Sequence, residues 1–328
     1  MNMIEIETKY WENGRKHIAG IDEAGRGPLA GPVVAACVIL KPYDIIEGVK
    51  DSKKISEKKR LKLFSEIYSR ALSIGVGIVN HKQIDELNIL QATFLAMNKS
   101  IGNLSINPEL ILVDGPRSNI KLYKVNHIVN GDNLSQSIAA ASIIAKVTRD
   151  NLMVEYDKIF PEYNFIQHKG YGTKHHIKQI KKIKSSPVHR RTFNIVKNNM
   201  PDYSYIKSIK NGYARLGHNI IGMNFIQREY IIIDQFIKLD NDFDIIDYYI
   251  YNENLSIYKY IKIITIENNK NTSFGNNSVL NIDDYIININ KYITKNNYEK
   301  KFTFNVISIE FIKPNKPKIN IIHEKSIN

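Results

Sequence analysis

From about residue 17 to residue 160, short apolar runs without polar alternation take turns with longer amphipathic stretches. The runs "HIAGI" (17–21) and "PVVAACVIL" (32–40) predict two strands buried on both faces. "DSKKISEKKRLKLFSEIYSRA" (51–71) predicts a helix capped by Ser56, with Leu61, Phe64, Ile67 and Leu72 tracing its apolar stripe. "LSIGVGIV" predicts a third strand, and "HKQIDELNILQATFLAMNKSIGNL" (81–104) one amphipathic helix. "PELILVDG" ends a fourth strand on Asp114, and "LYKVNHIV" supplies a fifth. A loop carrying Asp132 then leads into a long helix rich in small residues, to about Phe160. This order predicts an α/β domain, a mixed sheet with flanking helices.

Near Met200–Pro201 the composition shifts to Asn, Ile, Lys and Tyr. Blocks of Ile and Tyr still alternate as strands do, so residues 201–328 are expected to form a small α+β domain behind a catalytic domain spanning 1–200. The net charge of +13 is uneven. Residues 1–200 carry 30 Lys and Arg against 19 Asp and Glu, so nearly all of the surplus lies there. A basic front half fits a polyanion partner such as nucleic acid, and equally a solvated lysine surface. The single cysteine, Cys37, falls in a strand pattern and reads as a core thiol. No apolar signal core opens the chain and no stretch is long enough for a bilayer, so a cytoplasmic protein with no membrane partner is expected.

The candidate chemistry lies in "GIDEAGRGPLAGP". Asp22 and Glu23 are adjacent at a strand end, where two carboxylates repel unless a cation lies between them. Asp114 and Asp132 fall at comparable ends. Taken alone, Asp114 before Gly115 also reads as a turn residue and Asp132 as a helix cap. An all-oxygen set suits Mg²⁺ or Mn²⁺ rather than zinc, and two such ions about 4 Å apart activate water against a phosphodiester. "GRGPLAGP" fits neither a dinucleotide fingerprint nor a P-loop.

Together "GIDEAGRGPLAGPVVAACVIL", "DSKK", "LVDG", "GDNLSQSIAAASIIAKVTRD", "HKGYGTKHH" and "SPVHRRTF" resemble bacterial ribonuclease HII, in that family's order, over residues 17 to about 195. The resemblance implies a ribonuclease H-like fold with a helical cap. It also implies hydrolysis of the RNA strand of RNA–DNA hybrids and a cut 5′ to a ribonucleotide embedded in duplex DNA, by a monomer active in DNA replication and repair. It assigns metal binding to Asp22, Glu23 and Asp114, and a fourth active-site carboxylate to Asp132. Ribose sensing falls to Gly25, Arg26 and Gly27, and stacking on the junction sugar to Tyr171. Lys53, Ser142 and Lys146 match positions that approach phosphates. His189, Arg190 and Arg191 read equally as packing, surface charge or substrate contacts. The tail faintly resembles the YraN family of restriction-endonuclease-like fold. That likeness would put a nuclease aspartate on Asp244 and its Glu-x-Lys pair on Tyr260 and Lys262, with the glutamate missing. A catalytically silent tail is expected, its partner unknown.

Overall fold

The structure, a computed structural model, describes residues 3–50, 52–239, 245–267, 270–271, 282–296, 301–311 and 317–327. Two compact units divide the chain. The first comprises Met1–Val154, Phe165–Lys184 and Val188–Asn199, and the second Glu155–Asn164, Ser185–Pro187 and Met200–Asn328.

The first unit contains α1 (Glu5–Glu12), β1 (Ile18–Ala24), β2 (Val33–Ile39), α2 (Glu57–Arg70), β3 (Ser73–Val79), α3 (His81–Leu87), α4 (Ile89–Gly102), β4 (Leu110–Asp114) and β5 (Val125–Ile128). The long α5 (Gln136–Ile159) follows, its last five residues counted in the second unit, then α6 (Phe165–His168), α7 (Lys174–Ile183) and α8 (Asn194–Lys197). The sheet order is β3-β2-β1-β4-β5, with β1 central, antiparallel to β2 and parallel to β4. Alternate residues of β2 explain why its sequence is apolar throughout. Val34, Ala36 and Val38 pack with α2 and α5 on one face, and Ala35, Cys37 and Ile39 with α4 on the other. The mixed α/β sheet read from the sequence is therefore present, and Cys37 is buried in it.

Two anchors fix α5 against β1. Glu7, buried on α1, accepts hydrogen bonds at Oε1 from the Ser135 hydroxyl (2.7 Å), the Ser137 N–H (3.0 Å) and the Ser137 hydroxyl (2.7 Å), so a carboxylate sits on the amino end of α5. Gly20 supplies the second. A Cβ there would lie 2.1 Å from the Ser137 carbonyl carbon, so only glycine lets the backbones approach.

Two expectations need correction. Residues 81–104 form two helices rather than one, because Asn88 takes a left-handed φ of 68° and caps α4 by accepting from the N–H groups of Leu90 and Gln91. In α2 the cap at Ser56 is present, but Leu63 and Ile67 face the core. Leu61 is exposed, and Leu72 is exposed beyond the helix end. The acidic segment from Glu5 to Glu12, which carries no strand or helix pattern of its own, forms α1.

The second unit adds α9 (Tyr203–Ser208), α10 (Gly212–Gln227), β6 (Ile231–Lys238), β7 (Ile245–Asn252), β8 (Ile257–Glu267), β9 (Lys270–Asn271), α11 (Ile282–Asn296), β10 (Phe302–Phe311) and β11 (Lys318–Ile327). Its sheet runs β11-β10-β8-β7-β6, with β8 and β10 parallel, and β9 pairs with β8. Asp244 lies outside the described residues. The carboxylate facing Lys262 is Asp247, opposite it on β7, with Nζ and Oδ2 3.4 Å apart and both side chains almost fully buried. Burial pushes the Asp247 carboxyl up to about 6, against the pull of Lys262. Tyr260 is a core residue stacked on Tyr249.

Gly20→Ala is expected to destabilise the protein by at least about 3 kcal/mol, as forced overpacking against backbone does. Urea unfolding followed by circular dichroism measures this, and a change under about 1 kcal/mol would show that β1 and α5 can separate.

Candidate active site

Parallel register sets the centre of the site. Ile21 pairs with Val113, so Asp22 and Asp114 come next on neighbouring strands, at the same end of the sheet. Glu23 follows on β1. Asp22 is buried at 5% exposure. Burial, then the charges of Glu23 and Asp114, raise its carboxyl well above the usual range. The Ser142 hydroxyl, whose oxygen lies 3.0 Å from Ser52 Oγ, and the Glu23 N–H (2.7 Å) pull the other way. Burial raises Glu23 as well, opposed by its ion pair with Arg26 (3.1 Å) and by Lys53. These are the marks of carboxylates crowded out of water.

Asp114 Oδ1 accepts the Gly131 N–H at 2.7 Å, which ties the turn carrying Asp132 to the end of β4. Asp132 is buried, and its Oδ1 accepts from the Asn133 amide at 2.7 Å. The structure thus brings Asp22, Glu23 and Asp114 into one electrostatic cluster, and Asp132 follows Gly131 in the turn bonded to Asp114. Among the described residues no group of three or more His, Cys, Asp or Glu side chains is placed so as to hold a metal ion. The donors still fit a hard divalent cation, being all oxygen, with Asp22 and Glu23 raised by burial and neighbouring charge.

The turn after β1 carries the ribose-sensing candidates. Gly25 has φ of 98°, and a Cβ there would lie 2.1 Å from Arg149 Nε, so conformation and space both require glycine. Arg26 is half exposed. A Cβ on Gly27 would meet Tyr171 Cε1 at 3.8 Å, so the tyrosine ring flanks this turn. Tyr171 is 40% exposed, with the Lys146 ammonium 5.8 Å and the Arg149 guanidinium 5.7 Å from its ring centre. Lys146 also pairs with Asp150 at 2.7 Å. Lys53 is exposed, whereas Ser142 lies buried beneath Asp22.

Sequence reasoning missed what holds these parts. Arg149 and Arg190 are wholly buried, and their hydrogen bonds go to backbone carbonyls. Only the odd placement of an arginine in the small-residue run "AAASIIAKVTRD" hinted at the first. His189, left open between packing and contact, is buried, and its Nε2 lies 3.0 Å from His176 Nε2. His176 Nδ1 donates to the Tyr171 carbonyl at 2.9 Å. Arg191 is exposed.

A ribonuclease HII family model matches residues 19–197. Ribonuclease HII of Clostridioides difficile is 54% identical over 188 residues, 57% of this chain and 74% of its own. That of Acetivibrio thermocellus is 53% identical over 193 residues, covering 59% and 75%. The crystal structure of the ribonuclease H2 from Pyrococcus horikoshii OT3 is 28% identical with a TM-score of 0.49, covering 55% of this chain and 95% of that one.

Burial pushes His176 down to about 4 from its ordinary 6.5. Because the folded pKa is depressed, the neutral ring's contribution to stability is full above pH 6.5 and drains away as pH falls towards 4. The melting temperature of the wild-type protein is expected to drop further between pH 7 and 4.5 than that of His176→Gln. Equal drops in the two proteins would contradict this.

Proposed function

The chain belongs to the ribonuclease HII family and is a ribonuclease H endonuclease, and on that footing we propose that it cuts the RNA strand of RNA–DNA hybrids. We propose also that it nicks duplex DNA 5′ to an embedded ribonucleotide, leaving 3′-hydroxyl and 5′-phosphate ends. The observation that carries this reading is one unit holding a crowded carboxylate cluster, a glycine-flanked turn beside it, and a half-exposed tyrosine against that turn.

Asp22, Glu23 and Asp114 would hold a divalent cation, Mg²⁺ or Mn²⁺, with Asp132 as the fourth carboxylate. Such an ion lowers the pKa of a bound water and offsets phosphate charge. The chain's own residues do the selecting. A ribonucleotide differs from its neighbours by a 2′-hydroxyl, which both donates and accepts. The backbone of Gly25, Arg26 and Gly27 reads that hydroxyl without side chains in the way. Tyr171 packs on the adjoining sugar. Lys53 and Lys146 meet backbone phosphates, and Ser142 steadies Asp22 from below. A pure hybrid-binding scaffold is disfavoured, since crowded carboxylates repel the phosphates it would grip.

One chain contains every residue invoked, which fits a monomer, and among the described residues no helix is long and apolar enough to cross a membrane. We place the activity in the cytoplasm. We read the second unit as catalytically silent, because Asp247 and Lys262 seal each other in and Tyr260 belongs to the core.

A duplex with one ribonucleotide is expected to be nicked 5′ to it in Mg²⁺ or Mn²⁺ and left whole in EDTA. Products ending in 2′,3′-cyclic phosphate would instead mean that the 2′-hydroxyl was the nucleophile. Asp22→Asn is expected to lower cleavage by at least about 100-fold while hybrid affinity holds or tightens, since the change weakens cation binding but removes repulsion with phosphate. Retention of more than a tenth of the activity at saturating Mg²⁺ would exclude Asp22 as a ligand.

A further inference from the structure

The loop from Gly25 to Pro32 has no regular partner strand at its outer bend, so its carbonyls need donors from elsewhere. Arg190 supplies them from the closing segment. Its Nη2 donates to Gly25 O (2.5 Å) and Pro32 O (3.2 Å), Nη1 to Arg26 O (2.8 Å), and Nε to Gly31 O (3.0 Å). Arg149, on α5, donates from Nε to Pro32 O (2.9 Å), from Nη2 to Ala30 O (3.1 Å) and from Nη1 to Lys169 O (3.0 Å). The loop is also tied by the Leu29 N–H to Gly170 O at 2.8 Å and by the Arg190 N–H to Leu29 O at 2.9 Å.

A trans peptide points its N–H opposite to its C=O. Pinning the carbonyls of Gly25 and Arg26 on Arg190 therefore turns the N–H groups of Arg26 and Gly27 away from the buried side. Among the described residues neither N–H donates within the protein. Arg149 meanwhile joins the loop to Lys169, two residues before Tyr171. Among the described residues neither guanidinium has an ion pair, and burial, with Arg149 also acting on Arg190, lowers them to about 10 and about 9, still charged at neutral pH. Two like charges are kept out of water to serve carbonyls, a task for which the rigid five-donor fork suits and an ammonium does not.

We propose that Arg149 and Arg190 are positioning residues for ribonucleotide selection: Arg190 aims the Arg26 and Gly27 N–H groups at the 2′-hydroxyl, and Arg149 sets the distance from that turn to Tyr171. The proposal rests on the 2′-hydroxyl reading given above. Neither arginine touches substrate. Loosening them should therefore blur the distinction between ribose and deoxyribose while leaving general affinity for duplex intact.

The test compares binding, in EDTA, of a DNA duplex with one ribonucleotide and the all-deoxy duplex of the same sequence. Wild-type protein is expected to favour the first at least fivefold. In Arg190→Lys and in Arg149→Lys, with cooperative melting confirmed, the preference should shrink to less than twofold and all-deoxy affinity should stay within twofold. Folded lysine variants that keep the wild-type preference, or that weaken both duplexes alike, overturn the proposal, the former by showing that charge without the fork suffices. A wild-type protein with no preference refutes the 2′-hydroxyl reading itself and the proposal with it. A second measurement needs no variant: solvent exchange of the Arg149 and Arg190 Nε–H protons by NMR. These should slow at least threefold in the ribonucleotide complex relative to the all-deoxy complex, and equal exchange in both contradicts the proposal.

Discussion

The repulsion among Asp22, Glu23 and Asp114 is the constraint around which the first unit is built. Acidic groups are forced together at the ends of two parallel strands, where burial and mutual charge raise Asp22 and Glu23 above the normal carboxylate range. Holding them there requires a rigid frame. The sheet supplies it through strands buried on both faces, and α5 crosses behind at backbone contact through Gly20. Glu7 pins the start of α5, while Ser142 on the same helix reaches up to Asp22. A loosely packed frame would let the carboxylates spread and relax.

A second set of contacts brings positive charge close without neutralising the cluster. Arg26 and Lys53 oppose the rise of Glu23 from the solvent side, and the buried Arg149 and Arg190 lie under the adjoining loop. Their donors go to carbonyls, so the cluster stays available to a cation and the loop keeps a fixed shape.

The five strands of the first sheet and the carboxylate positions were legible in the sequence because they depend on local pattern and on short motifs. The Ser56 cap was legible for the same reason. What escaped depended on conformation or on distant partners. The break at Asn88 comes from a left-handed residue inside a run whose amphipathic rhythm continues across it. Counting apolar positions in α2 could not tell Leu61 from Leu63, since the face that packs is chosen by α5 and β2. Arg149 carries no reading in the sequence and Arg190 stays open between packing, surface charge and substrate contact, because their acceptors are backbone carbonyls, which leave no mark in sequence. In the tail, Lys262 faces Asp247 on β7, a pairing that no motif in the sequence marks, and Asp244 lies outside the described residues. Strand register, set by Tyr248 opposite Ile261, decides such a pairing.

We propose that the first unit crowds its carboxylates to bind a divalent cation. A ligand that binds only the folded state raises stability by mass action, about 2.7 kcal/mol at one hundred times its dissociation constant. The direct measurement is the melting temperature of the wild-type protein and of Asp22→Asn in EDTA and in rising Mg²⁺ or Mn²⁺ at constant ionic strength. The account predicts a saturable rise of several degrees for the wild type and little or none for Asp22→Asn. Identical curves with and without the cation in the wild-type protein would contradict it.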